Sequence, residues 1–540
     1  MDSKEILKFC LEKGLLVDRE VLNLFSESKD FESAKFLIER FSASTRQKII
    51  TEKVLKENKK EVERFFLDLP EAKREKLEKL KIRLGLSIEI SRISKESEKK
   101  QTEEVLSESP IKIVSMECSK GKKILVEDFV SHFRNRFNKL KEILQSHAEL
   151  ENLVSIGKIS GNRQKMSLIG IVSEKSITKN KNIILEIEDL TGKIKVLINK
   201  DKKEVYERAE EIVPDAVLGF IGSGSREIFF VNGVVFPEAT LPERKSARYE
   251  EYAAFIGDLH FGSKLFMRES FENFIKYLNG EVPNTPEVKK IKYLFVVGDI
   301  ISGVGNYPDQ EKDLAIKDLE EQFIGLSELL QKIRKGIKII ISPGNHDCMR
   351  IMEPQPIFDE KYAWPLYEME NVILTGNPAY VNIASREGFS GLDILTYHGF
   401  SFAYYAGNVP SLIKSKAMHH PEKIVKYLLK NRHLAPTHSS TQYFPLNKDP
   451  LFIEHIPDIV VVAHTHKSAA TYYNNILILS TSSWEGMTPY EEKMGAKPDF
   501  CKVPLLNLKT REIRLLDFEE IEETEKKLEV KEEMKMVRKN

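Results

Sequence analysis

Residues 339–350 read IIISPGNHDCMR. Three isoleucines make an apolar run of the kind that fills a buried strand, and it stops abruptly at Pro343-Gly344-Asn345-His346-Asp347. Glycine and asparagine are good turn formers, so one such ending is an ordinary turn. Four further apolar runs close in the same manner: YAAFIGDLH (252–260), YLFVVGDI (293–300), DILTYHG (393–399) and DIVVVAHTHK (458–467). Five strands lying side by side would deliver these endings to one sheet edge, where ligands bind in open α/β sheets. The first run is then a strand that carries Asn345 and His346 to a shared crevice.

The residue types have a chemistry in common. Asp258 and His260 are two apart, as are His464 and His466, and in an extended segment such pairs point the same way. Asp299 offers two oxygens able to bridge, Asn345 a neutral oxygen, His398 a nitrogen. Seven nitrogen and oxygen ligands without a thiolate are too many for one tetrahedral zinc, and they suit two adjacent ions of the Mn, Fe or Zn kind. Two such ions about 3.5–4 Å apart can activate water and clamp a phosphoryl group in an in-line displacement.

Around this region the chain changes character several times. Residues 1–70 have helical periodicity and no strand signals, with Ile6, Leu7, Cys10 and Leu11 on one face, then Val21–Phe25 and Phe36–Phe41. They read as a small helical docking domain. Residues 71–150 read as a Lys/Glu-rich linker, a strand at 111–118 and a charged helix near 126–150. Over 151–245, NIILEIEDLTGKIKVLINK (182–200) alternates apolar and polar residues about a turn at Leu190-Thr191-Gly192. With strands at 167–173, 216–221 and 228–235 and a helix near 201–211, it predicts a five-stranded OB-fold β-barrel. Phe229 and Phe230 are candidate stacking platforms or core. An α/β domain of sheets sandwiched by helices follows at 250–518, then a charged tail at 519–540.

Composition narrows the function. Lys+Arg and Asp+Glu are both 83 in 540 residues, so contact with nucleic acid has to come from local patches. The four cysteines, Cys10, Cys118, Cys348 and Cys501, form no CxxC pair, which argues against a disulfide framework and for a reducing compartment. No signal peptide or membrane span is read, so a cytoplasmic protein is expected.

The order D-x-H, G-D, G-N-H-D, H, H-x-H resembles the calcineurin-like metallophosphoesterase superfamily, with Ala463 where that superfamily usually has glycine. PGNHDCMRIMEPQP (343–356), YHGFSF (397–402), HLAPTH (433–438) and DPLFIEHIPDIVVVAHTHK (449–467) are similar to the small subunit of archaeal family D DNA polymerases. The resemblance implies a 3′–5′ proofreading exonuclease paired with a large catalytic subunit as a heterodimer. It implies DNA primer-template as substrate, a sliding clamp as a further candidate partner, and a nucleoid-associated location. It also implies two divalent ions, Mn first and Fe or Zn as alternatives. Asp258, His260, Asp299 and His466 would hold one. Asp299, Asn345, His398 and His464 would hold the other. His346 would be the catalytic acid, oriented by Asp347 unless that residue caps the next helix, and Arg350 would touch phosphate or make a salt bridge. The residues alone leave two alternatives open, a free-standing metallophosphatase or phosphodiesterase and a non-catalytic scaffold subunit.

Overall fold

The structure is a computed structural model that describes residues 3–18, 21–22, 35, 38, 49–51, 111–116, 121–160 and 164–519. The chain divides into two compact units, Met1–Leu106 and Ser107–Asn540.

In the first unit the helix Ser3–Glu12 forms where its period places it, with Cys10 buried. The expectation of a segment without strands is corrected. β1 (Leu16–Val17) and β2 (Ile49–Ile50) pair in parallel. Two residues are too few to display the period by which a strand is read. The other two expected helices lie largely outside the described residues, as do the Lys/Glu-rich stretch 71–108 and the tail beyond residue 519.

The second unit opens with β3 (Lys112–Met116) and the helix Val126–Gln145. A closed five-stranded barrel follows: β4 (Gln164–Ile177), β5 (Ile183–Asp189), β6 (Gly192–Ile198), β7 (Val217–Gly224) and β8 (Ile228–Val235). Its order is β4-β5-β6-β8-β7, β4 also pairs with β7, and β6 runs parallel to β8. The helix Lys203–Glu210 joins β6 to β7. The hairpin turns where the sequence places it because Asp189 Oδ1 accepts from the N–H groups of Thr191 and Gly192 and from Thr191 Oγ1. Phe229 is fully buried inside the barrel, so it is core and no platform, whereas Phe230 is half-buried.

The remaining strands are β9 (Tyr252–Ile256), β10 (Ile291–Val297), β11 (Lys338–Ser342), β12 (Val372–Leu374), β13 (Ala379–Ile383), β14 (Leu392–Tyr397), β15 (Ile459–Val462), β16 (Ala469–Tyr473), β17 (Ile476–Ser480), β18 (Lys502–Asn507) and β19 (Ile513–Asp517). They build two six-stranded sheets, ordered β12-β11-β10-β9-β18-β19 and β16-β17-β15-β14-β13-β3. One face of each sheet enters a shared core, with Phe255 and Phe295 stacked at 5.3 Å between centroids. The outer faces pack against helices, Arg268–Asn279 and Leu319–Leu330 on one side, Phe402–Asn408 and Pro421–Asn431 on the other. Strands buried on both faces lose the alternating pattern and become continuous apolar runs, as these did in the sequence.

Two consequences bear on the site. The five ligand-bearing strands do not share one sheet. β9, β10 and β11 belong to the first and β14 and β15 to the second, so the crevice spans adjoining edges of a sandwich. In addition, the strand expected at 111–118 forms as β3, pairs with β13 from ahead of the barrel and completes the second sheet, a place that no local pattern announced. Next to it in sequence, the helix Val126–Gln145 is anchored by buried Arg136, which donates to Asp449 Oδ2 (2.6 Å) and to the Pro436 carbonyl (2.9 Å).

Candidate metal centre

Each ligand-bearing strand stops before its polar residues, and the loops that follow are sharply bent. Asp258, His260, Asp299, His464 and His466 have φ of +49°, +48°, +48°, +68° and +54°. The pairs two residues apart are therefore brought together by left-handed backbone, and the expected extended geometry is corrected. Side chains rarely adopt this conformation, and such strain persists where the surroundings over-determine it. Two glycines make the approach possible. A Cβ at Gly298 would collide with the His398 ring, and one at Gly344 with the Asp299 carboxylate.

The seven expected ligands converge. Asp258, His260 and His466 form one group, Asp299, His398 and His464 a second, and His260, Asp299 and His346 a third, with ligand atoms inside each group within 4.8 Å of one another. Asp299 Oδ2 is 3.1 Å from His398 Nε2 and 4.0 Å from His260 Nε2, so it lies between the first two groups. Asn345 Oδ1 is 3.0 Å from His398 Nε2. Asp258 and His398 are fully buried and Asp299 is 2% exposed.

The donor chemistry fits cations. His466 Nδ1 is 2.7 Å from Glu491 Oε1, so it carries a proton there and turns Nε2 toward His260 Nε2, 3.3 Å away. His398 Nδ1 faces the Val297 carbonyl at 3.4 Å, which turns Nε2 toward two oxygens. Lone pairs aimed at one another repel unless positive charge sits among them. The protein alone expresses this by holding protons. Burial opposes charge on His398 and His466, but Asp299 beside the first and Asp258 and Glu491 beside the second raise both to about 9. Burial and the charge of His398 push His464 down to about 3. Burial and His346 hold His260 well below the usual imidazole range. Burial lifts Asp258 to about 6, whereas at Asp299 burial is overcome by His398, His346 and His260 and the carboxyl stays well below its usual range.

His346 stands at the rim, its ring edge-on to His260 at 4.8 Å. Its Nδ1 faces the Ser302 carbonyl at 3.3 Å and Asn306 Nδ2 at 3.4 Å. Asp347 does not orient it, nor does it cap a helix. Its two buried oxygens accept from the N–H groups of Ile301 (3.0 Å) and Gly344 (2.7 Å), tying two ligand loops together. Burial lifts this carboxyl to about 7. Arg350 lies on the same loop, four residues after His346. It donates to the Pro354 carbonyl and stacks 3.7 Å over Phe444.

Several supporting residues escaped the sequence reading. Gln355 Nε2 donates to the Gly344 carbonyl (2.9 Å), and Gln355 Oε1 accepts from Asn377 Nδ2 (2.7 Å). Asn377 Oδ1 in turn accepts the His398 backbone N–H (2.9 Å), so an amide relay joins the two halves of the crevice. Gln355 between two prolines was the only available signal. Glu491 was missed as well, although Thr488-Pro-Tyr-Glu491 is a capping-box pattern.

Residues 253–471 match the family of DNA polymerase alpha/epsilon B-subunits. The DNA polymerase II small subunit of Pyrococcus furiosus is 37% identical over 407 residues, which are 73% of this chain and 64% of that protein. This chain thus spans somewhat under two thirds of that relative. The Pyrococcus horikoshii small subunit is 35% identical over 82% of this chain and 71% of its own length. The Methanothermobacter thermautotrophicus small subunit is 32% identical over 73% and 80%. A solved archaeal phosphodiesterase is similar at 13% identity over 49% of this chain and 98% of its own, with a TM-score of 0.25, too low to carry an argument. On the strength of the polymerase relatives, this chain belongs to the family of archaeal DNA polymerase II small subunits, the small subunits of family D.

Proposed function

We propose that this chain is the proofreading subunit of a heteromeric DNA polymerase and removes 3′-terminal nucleotides from a DNA primer by hydrolysis. The observation that carries the reading is the convergence of seven nitrogen and oxygen donors about Asp299, with His346 beside them and no thiolate among them. Two divalent ions, Mn with Fe or Zn as alternatives, would be held by Asp258, His260, Asp299 and His466 and by Asp299, Asn345, His398 and His464. When bound they supply positive charge that lowers the pKa of an attacking water and screens the phosphate oxygens.

The chain's own residues do the rest. Asp299 holds both halves of the site in register through its two oxygens. His346 keeps Nδ1 on the Ser302 carbonyl, which leaves Nε2 free to give a proton to the departing 3′-oxygen. Arg350, held by the Pro354 carbonyl and stacked over Phe444 on the loop that follows His346, would touch the phosphate. The same reading divides the chain into a docking segment (1–70), a linker and helix (71–150), an OB-fold domain (151–245), the phosphoesterase domain (250–518) and a tail (519–540). The barrel order with β6 parallel to β8 supports the OB assignment. A large catalytic subunit, primer-template DNA and a sliding clamp are the partners, and the nucleoid is the place of action. Among the described residues, no helix is long and apolar enough to cross a membrane.

The test is a pull-down with the large polymerase subunit of the same organism, followed by digestion of a 3′-mismatched primer with and without Mn²⁺. Binding together with Mn²⁺-dependent release of the terminal nucleotide is expected. Binding without cleavage would leave a scaffold, and cleavage of simple phosphodiesters without binding would leave a free-standing phosphodiesterase.

A further inference from the structure

We infer that Glu491, with Glu485 beside it, is a positioning residue that makes the metal position at Asp258, His260 and His466 the tighter of the two. The inference rests on the two-ion reading above and assigns the positions different strengths.

Both oxygens of Glu491 are engaged. Oε1 accepts from His466 Nδ1 at 2.7 Å. Oε2 accepts from the backbone N–H and the hydroxyl of Thr488 at 2.9 and 2.8 Å, while Thr488 Oγ1 accepts the Glu491 N–H at 3.2 Å. The capping box of the helix Pro489–Met494 therefore locks the carboxylate, and the carboxylate fixes the His466 tautomer and ring plane. Glu485 comes from the same connection between β17 and β18. Its Oε2 is 4.0 Å from His260 Nδ1, and its N–H is held by Ser483 Oγ at 2.9 Å. Both histidines of this group thus face a carboxylate with Nδ1 and each other with Nε2.

In the second group His398 is backed differently. His398 Nδ1 faces the peptide carbonyl of Val297, a dipole without net charge. A carboxylate behind a ligating imidazole makes it a stronger donor than a carbonyl does, and loss of such a partner typically costs about 10- to 100-fold in metal affinity. The difference falls on the first position because the segment 483–491 meets its ligands: the Trp484 N–H donates to the Asp258 carbonyl, Glu485 faces His260 and Glu491 faces His466.

Glu491→Gln isolates the charge, because glutamine can still serve a capping box. The measurement is Mn²⁺ binding to the full chain by equilibrium dialysis, paired with electron paramagnetic resonance of the bound ions. Two unequal affinities are expected in the wild type. The variant should lose about 10- to 100-fold at the tighter position alone, so that the spin-coupled signal of a Mn pair needs excess metal. Thr488→Ala removes the cap and keeps the charge. It should retain most of the tight binding. Unchanged affinities in Glu491→Gln, equal weakening of both positions, or an equal loss in Thr488→Ala would each overturn the inference while leaving the metal centre standing. A wild-type chain that binds no Mn²⁺ would overturn both.

Discussion

The backbone N–H of His346 donates to Asp299 Oδ1 at 2.7 Å. The carboxylate lying between the two ligand groups therefore also sets where the loop after β11 begins. Its other oxygen faces His398 and His260, so one side chain couples the charge of the centre to the position of the His346 loop.

Asp299→Ala should weaken binding of both ions and release the His346 loop. Asp299→Asn keeps an acceptor for the His346 N–H but removes the charge, so it should preserve the loop and still lose affinity at both positions. Metal stoichiometry by dialysis checks this, and two full sites in the asparagine variant would remove Asp299 from the bridging role.

His346→Ala should retain both ions and lose hydrolysis by about 10²- to 10⁴-fold, the usual contribution of a general acid. Loss of an ion from this variant would instead make His346 a ligand, as its closeness to His260 and Asp299 allows.

Ala463, where the sequence resemblance leads one to expect glycine, is accommodated by its neighbour Gly257. A Cβ at Gly257 would lie 3.0 Å from Ala463 Cβ, 2.8 Å from the Val297 carbonyl and 2.7 Å from Thr481 Oγ1. Gly257→Ala should destabilise by about 1–3 kcal/mol through overpacking. Ala463→Gly in the same chain should recover only part, because the Val297 carbonyl stays. Full recovery in the thermal midpoint would show that the methyl–methyl contact was the whole cost.

Acid should destabilise the second unit through His433 before Asp449 titrates. His433 Nδ1 accepts the Ala435 N–H at 3.0 Å and Nε2 is 2.8 Å from Asp449, so the ring is locked neutral. Burial and the nearby Arg136 charge depress it to about 4. A histidine depressed on folding binds its proton more readily when unfolded. Stability is then complete above about pH 6.5 and is lost as pH falls toward 4. Asp449, held low against burial by Arg136 and the histidines, adds a loss only below the ordinary carboxylate range. The thermal midpoint of wild type should fall between pH 6.5 and 4 more steeply than that of His433→Gln, and parallel curves would discharge His433 from the effect.

The strands and the candidate ligands were legible because both depend on local composition. Continuous apolar runs are what a doubly covered strand requires, and a ligand must be one of a few residue types. The barrel hairpin was legible down to its turn because Asp189 makes that turn with its own neighbours. What escaped depended on distant partners. Asp347 next to His346 invited a role in orienting it, yet its hydrogen bonds run to Ile301 and Gly344. That Arg350 stacks over Phe444 could not be read from the sequence either. Gln355, Asn377 and Glu491 are ordinary polar residues until the fold sets them behind a ligand.

By itself, then, the sequence determined the barrel strands, the five apolar strands that end in ligand residues and which side chains could meet a metal, since periodicity and donor chemistry are written residue by residue. Only the tertiary structure decided that those strands divide between two sheets, that a strand from ahead of the barrel completes one of them, and that left-handed turns rather than extended backbone close the ligand pairs. Strand partners and loop conformations are chosen by packing between residues far apart in the chain, and that information resides in no single stretch of it.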